Sequence, residues 1–244
     1  MLDHPRLSTI ANPPDLSRHL NLTEPPAVPR PSSTVLLVRG RRPWELLLVH
    51  RPGGADFAPG AYVFPGGTVH EGDGAGEDPI RTAAVRELFE EAGILLARRG
   101  RRFAADADSA KVRSLLEGGA SFGNALRELS LAPAFDRLVM FARWVTPAQM
   151  RRRFDARFFL ARMPAGQTVR PQEGEVTDWM WISPSRALAS SEVTLVYATR
   201  AVLESVAVDD ASKLFARVRR IREIPIIEPR IVQTERGWEI VREG

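Results

Sequence analysis

The chain has 244 residues, 44% hydrophobic and 26% charged, which fits one globular domain with elaborations and excludes a disordered or fibrous class. It holds no cysteine, which excludes disulfides, thiolate metal sites and cysteine nucleophiles and agrees with a reducing compartment. No apolar run reaches the ~20 residues of a membrane-spanning helix, and "MLDHPRLSTIANPPDL" lacks the basic start and apolar core of a secretory signal, so a cytoplasmic location is expected.

Residues 1–32 are rich in Pro, Asn, Ser and Asp and read as an extended leader, leaving 33–244 as one domain. "STVLLVRG" (33–40) and "ELLLVHR" (45–51) read as a hairpin turned by "RRPW". "YVFPGG" (62–67) is a short strand ending in a tight turn, and "HEGDGAGEDP" is a loop. A helix is predicted from Pro79 to Ala92, capped by Asp78, opened by a proline at its first position and stopped by Gly93.

Residues 109–130 suggest two short helices broken at "GGASFG", within a helical insertion of about 105–132. Strands follow at 136–145, 156–163 and 176–183, with a turn or short helix at "TPAQMRRRF". "SPSRALAS", "YATRAVLESVA" and "ASKLFARVRRI" read as helices, and "PIIEPRIVQTERGWEIV" as a terminal hairpin. Strands mixed with helices without strict alternation point to an α+β or α/β sandwich with a mixed sheet.

The net charge of +4 and pI near 10.2 invite a nucleic-acid reading. The distribution weakens it, because Lys111 and Lys213 are the only lysines and the arginines are scattered among 30 acidic residues. A basic surface also attracts phosphorylated small molecules, so a small-molecule partner is expected rather than nucleic acid or membrane.

The chemistry concentrates in "AVRELFEEAGILL" (84–96). Glu87, Glu90 and Glu91 stand at i, i+3 and i+4 and share one helix face, while Ile80, Ala83, Ala84 and Leu88 form a stripe suited to packing on the sheet. Like charges at i and i+4 cost helix stability, and Arg86, which reaches Glu90 at i+4, cannot neutralise three carboxylates. The plain alternative is a solvated acidic face with an internal ion pair. A hard divalent cation such as Mg²⁺ would offset the charge, since it takes a few carboxylate oxygens plus substrate phosphates.

"FPGG", a loop, and then Arg86, Glu87, Leu88, Glu90, Glu91, Gly93 and Ile94 resemble the box of the Nudix hydrolases: Gly, five residues, Glu, seven residues, then Arg-Glu-U-x-Glu-Glu-x-Gly-U, with U apolar. Gly67 matches the first glycine. The loop is five residues longer than the pattern, so the first carboxylate of the box falls on Asp73, Glu77 or Asp78.

The resemblance implies the α/β/α Nudix sandwich, with a helical insertion after the box helix and C-terminal helices. It implies metal-dependent cleavage of a phosphoanhydride in a nucleoside diphosphate derivative, with Mg²⁺ or Mn²⁺ as cofactor. On it, Glu87, Glu90 and Glu91 would ligate the metal with the Gly67 carbonyl, and Arg86 would orient the glutamates. A further carboxylate from beyond the box would act as base or extra ligand; of Glu173 and Glu175, Glu175 is preferred because it immediately precedes a strand.

"VFPGG", "FARWVTP", "RRFDARFFLA", "GEVTDWMWISPSRAL" and "PIIEPR" follow in the order of the coenzyme A diphosphatase subgroup (nudix motif 19 type) and its bacterial relatives. That subgroup cleaves CoA or acyl-CoA to 3′,5′-ADP and (acyl)phosphopantetheine. Arg51, Arg153 and Arg157 are the arginines expected to meet substrate phosphates. Where the general CoA motif carries a second arginine after Arg51, this chain has Asp56. Trp144, Trp179 and Phe158 are read as core before adenine-stacking groups, and His50 and His70 as structural or exposed. The rival readings are a pyrophosphatase for ADP-ribose, a dinucleotide or a nucleotide sugar, and a non-catalytic nucleotide-sensing or RNA-binding module.

Overall fold

The computed structural model describes residues 16–55, 58–75, 78–235 and 237–242. β1 (Arg30–Gly40) carries "VLLV", an unbroken apolar run, and such a run belongs to a strand covered on both faces. It pairs antiparallel with β2 (Trp44–His50). β3 (Tyr62–Val63) adds to β2, and β4 (Gly66–Thr68) returns antiparallel along Ser32–Thr34 of β1. α1 (Pro79–Ala92) follows.

A small sheet of β5 (Ala97–Arg99), β6 (Arg102–Phe103) and, after α2 (Asp106–Glu117) and α3 (Phe122–Glu128), β7 (Ala132–Pro133) comes next. β8 (Val139–Val145), β9 (Phe154–Arg162) and β10 (Asp178–Ile182) complete most of the main sheet. α4 (Pro184–Ala189), α5 (Tyr197–Val206) and α6 (Ala211–Val218) precede β11 (Ile226–Ile227) and the hairpin of β12 (Arg230–Thr234) and β13 (Gly237–Val241).

The main sheet runs β10-β2-β1-β9-β8-β11, parallel at β1/β9 and β8/β11 and antiparallel elsewhere, so it is mixed as expected. Because side chains alternate along a strand, β1 sends Val35 and Leu37 to one face and Leu36 and Val38 to the other. The first pair packs under α1, α2 and α3 with Ala84, Val85, Leu88 and Phe122. The second packs under α5 and α6 with Val202, Leu203, Leu214 and Phe215. The architecture is the expected α/β/α sandwich.

The expected bounds of the box helix match the structure. Asp78 accepts a hydrogen bond from the Arg81 N–H, Pro79 opens the helix, and Gly93 closes it at φ 72°. A Cβ on Gly93 would also stand 2.1 Å from the Arg170 carbonyl oxygen, so left-handed backbone and close approach both require glycine there. The insertion holds its two helices, and the strands of two or three residues in the small sheet were absent from the sequence reading. Too few residues alternate in them to show a period.

Residues 16–29 are tied to the domain. Leu16 and Leu20 are buried in a small cluster with Ile231, and Leu20 bridges Met150. No helix among the described residues is long and apolar enough to cross a membrane.

Leu88 is fully buried on the sheet-facing side of α1. Leu88→Ala is expected to destabilise the fold by about 2–5 kcal/mol, read as a lowered denaturant midpoint with an unchanged slope.

Candidate active site

The turn Gly66–Gly67 lies against α1. A Cβ on Gly67 would fall 2.4 Å from the Glu87 carboxylate, and the Gly66 N–H donates to Glu91 Oε2 at 2.9 Å. β4 thus brings its backbone against the glutamate face, and only glycine leaves room for the acid. Glu87 and Glu91 are buried and Glu90 is half-buried. A solvated acidic face is therefore not what the helix presents.

Arg86 lies inside this cluster, 6% exposed, and all five of its N–H donors are used. Nε and Nη2 donate to the two oxygens of Asp73, each at 2.9 Å; Nη2 also donates to the Thr68 carbonyl at 2.9 Å. Nη1 donates to Glu87 Oε1 at 2.8 Å and Glu90 Oε2 at 2.7 Å. Burial works against the guanidinium charge, but hydrogen bonding to Asp73 and the charges of Glu87, Glu90 and Asp73 hold its pKa above the usual arginine value.

Of the two described candidates for the box's first carboxylate, Asp73 is buried and grips Arg86 in a bidentate pair. Asp78 caps α1 and pairs with Arg81 instead. Glu77 and Asp56 lie outside the described residues.

The other sequence candidates divide. Arg51 pairs with Glu91 at 3.4 Å, and Glu175 adds negative charge felt by Glu87, Glu90 and Glu91. Both line a cavity of about 470 Å³ that also borders Gly66, Gly67, Glu87 and Glu91.

The structure does not bring Arg153 or Arg157 to this group. Arg153 is buried and donates to the Thr146 and Ala27 carbonyls and, at 2.5 Å, to Glu228. Arg157 pairs with Asp155, which also holds Arg143. Trp144 and Phe158 are buried and line the cavity, whereas Trp179 is exposed. His50 bridges Thr177 and the Gly60 carbonyl, a structural role, and His70 hydrogen-bonds Thr68.

The donor set suits a hard divalent cation: three carboxylates on consecutive turns of one helix beside a glycine backbone. Among the described residues, no group of three or more His, Asp or Glu side chains stands together as a metal site, and Arg86 bridges Glu87 and Glu90.

Burial pushes Glu87 up to about 7 and Glu91 up to about 8, and it raises Glu90 as well. Arg86 opposes the shift of Glu87, and the Gly66 N–H that of Glu91. A cation would reverse the shifts by favouring the charged forms.

A family model described as the NUDT19 Nudix domain matches residues 75–199, just over half of the sequence. The chain belongs to the Nudix hydrolase family. It is 31% identical to the putative nudix hydrolase 7 of Caenorhabditis elegans, over 59% of this chain and 48% of that protein. It is 28% identical to the human acyl-coenzyme A diphosphatase NUDT19, over 60% of this chain and 55% of that protein. The chain spans about half the length of the curated relatives it matches. The crystal structure of a NUDIX hydrolase from Alicyclobacillus acidocaldarius superposes with a TM-score of 0.66 at 28% identity, covering 78% of this chain and 96% of that one.

The raised glutamate pKa values give a stability prediction. Between the unfolded value near 4.5 and the folded values of about 7 and 8, the folded protein holds protons that the unfolded chain releases. With chelator present, the contribution of these groups therefore falls as pH rises through that window. Thermal unfolding should show a flatter loss of Tm from pH 5.5 to 8 in Glu91→Gln than in the unaltered protein. Added Mg²⁺ or Mn²⁺ should raise the Tm of the unaltered protein more at pH 8 than at pH 5.5.

Proposed function

We propose that this chain is a metal-dependent hydrolase of a phosphoanhydride bond in a nucleoside diphosphate derivative, with CoA or acyl-CoA as its substrate. The observation that carries the chemistry is the buried Arg86 node, which holds Glu87 and Glu90 from below while Gly66 and Arg51 hold Glu91. The CoA preference draws its support from the match to the NUDT19 Nudix domain and from the relatives named acyl-coenzyme A diphosphatase.

Glu87, Glu90 and Glu91, with the Gly67 carbonyl, are the groups that would hold Mg²⁺ or Mn²⁺. When bound, the ion would acidify water and neutralise charge building on the diphosphate. Arg86 is the positioning residue: its fork fixes two carboxylates and draws its own rigidity from Asp73 and Thr68. Glu175 borders the same cavity as Glu87 and Glu91 and is the group proposed to accept the proton of the attacking water. Arg51, which lines the cavity, is the arginine proposed to meet the diphosphate. Its pairing with Glu91 keeps it there without substrate. A cytoplasmic location remains part of this proposal.

Product analysis tests the reading. The protein with Mg²⁺ or Mn²⁺ should release 3′,5′-ADP from CoA and acetyl-CoA, and cleave ADP-ribose, NADH and a dinucleoside polyphosphate much more slowly. Glu90→Gln should lower kcat by about two or more orders of magnitude with unchanged unfolding behaviour. Cleavage of a non-CoA compound alone would reject the CoA assignment, and normal turnover by folded Glu90→Gln would reject the role of Glu90.

A further inference from the structure

The cavity beside the glutamates joins two different environments. At the charged end are Arg51, Glu87, Glu91 and Glu175. Leu16, Met150 and Ile240 also line it; Leu16 is buried in the small apolar cluster with Leu20 and Ile231, and Met150 and Ile240 pack against that cluster. Several hydrogen bonds fix that wall. The Asn21 N–H donates to the Gln149 carbonyl at 2.7 Å, the Arg151 N–H to the His19 carbonyl at 2.9 Å, and Arg151 Nε to the Leu20 carbonyl at 2.9 Å. Buried Arg153 ties the Ala27 carbonyl to Glu228, clamping the leader onto the segment before β12.

We propose that this cavity holds the acyl arm of the acyl-CoA substrate, with Leu16, Met150 and Ile240 setting the chain length that fits. The inference rests on the acyl-CoA reading above and deepens it. Its volume of about 470 Å³ is on the scale of a small-molecule site, and its far wall is apolar. Among the described residues that line it, Arg51 is the one arginine and there is no lysine, so these offer little to a second nucleotide with its own phosphate.

Leu16 and Ile240 also lie outside residues 75–199, so this wall is added to the part of the chain that the family model matches.

The test compares kcat and KM for CoA, acetyl-CoA, octanoyl-CoA and palmitoyl-CoA in the full chain and in Ile240→Trp, Met150→Trp and Leu16→Ala. Narrowing the wall with either tryptophan should lower the ratio of octanoyl-CoA to acetyl-CoA kcat/KM at least tenfold, chiefly through KM. Leu16→Ala should shift the preference toward palmitoyl-CoA. Each variant is checked by near-ultraviolet circular dichroism, and Leu16→Ala serves if both tryptophan variants fail to fold. CoA cleavage with an unmoved ratio in the folded variants would overturn this inference and leave the proposed function standing. No cleavage of any CoA compound would overturn both.

Discussion

A buried guanidinium with every donor used is the constraint on which the rest of the site depends. Arg86 is buried, and its five hydrogen bonds all come from protein. Asp73 and the Thr68 carbonyl supply the bonds on one side, and Glu87 and Glu90 those on the other. The fork is rigid and planar, so fixing one side orients the other. Removing one partner would leave a buried charge uncompensated, at about 3–5 kcal/mol, which is why the long loop after β4 still returns Asp73 to this point.

The sandwich exists to hold that node in place. β1 is buried on both faces, so α1 is pinned from below by Val35 and Leu37 while the far face is closed by α5 and α6. Gly93 ends α1 at the Arg170 carbonyl, and the chain from Arg170 to Gln172 bonds back to the Ala92 and Glu90 carbonyls. That return path carries Glu175 to the cavity. The carboxylate proposed as base is thus positioned by the same helix end that carries the proposed metal ligands.

Much of this was legible in the sequence because several local signals coincided. Asp78, Pro79 and Gly93 bracket α1 independently of the glutamates, and the i, i+3, i+4 spacing places the acids on one face. Depth was not legible: spacing shows which residues share a face, but not that β4 lays two glycines across it and buries Glu87 and Glu91. Asp73 stayed ambiguous because counting along a lengthened loop cannot show where its middle returns. Arg153 read as a phosphate contact because its partners, Ala27 and Glu228, are far away in sequence. The cavity wall was hidden for the same reason, since Leu16 and Ile240 come from opposite ends of the chain.

The central claim is that Asp73, acting through Arg86, sets the carboxylates for a divalent cation. Its most direct test is Mn²⁺ affinity, measured by electron paramagnetic resonance, in the unaltered protein, Asp73→Asn and Asp73→Glu. Loss of the buried pair should weaken binding about 10–100-fold in Asp73→Asn, as expected when a group that orients metal ligands is removed, with recovery in Asp73→Glu. Unchanged Mn²⁺ affinity in a folded Asp73→Asn protein would contradict the account.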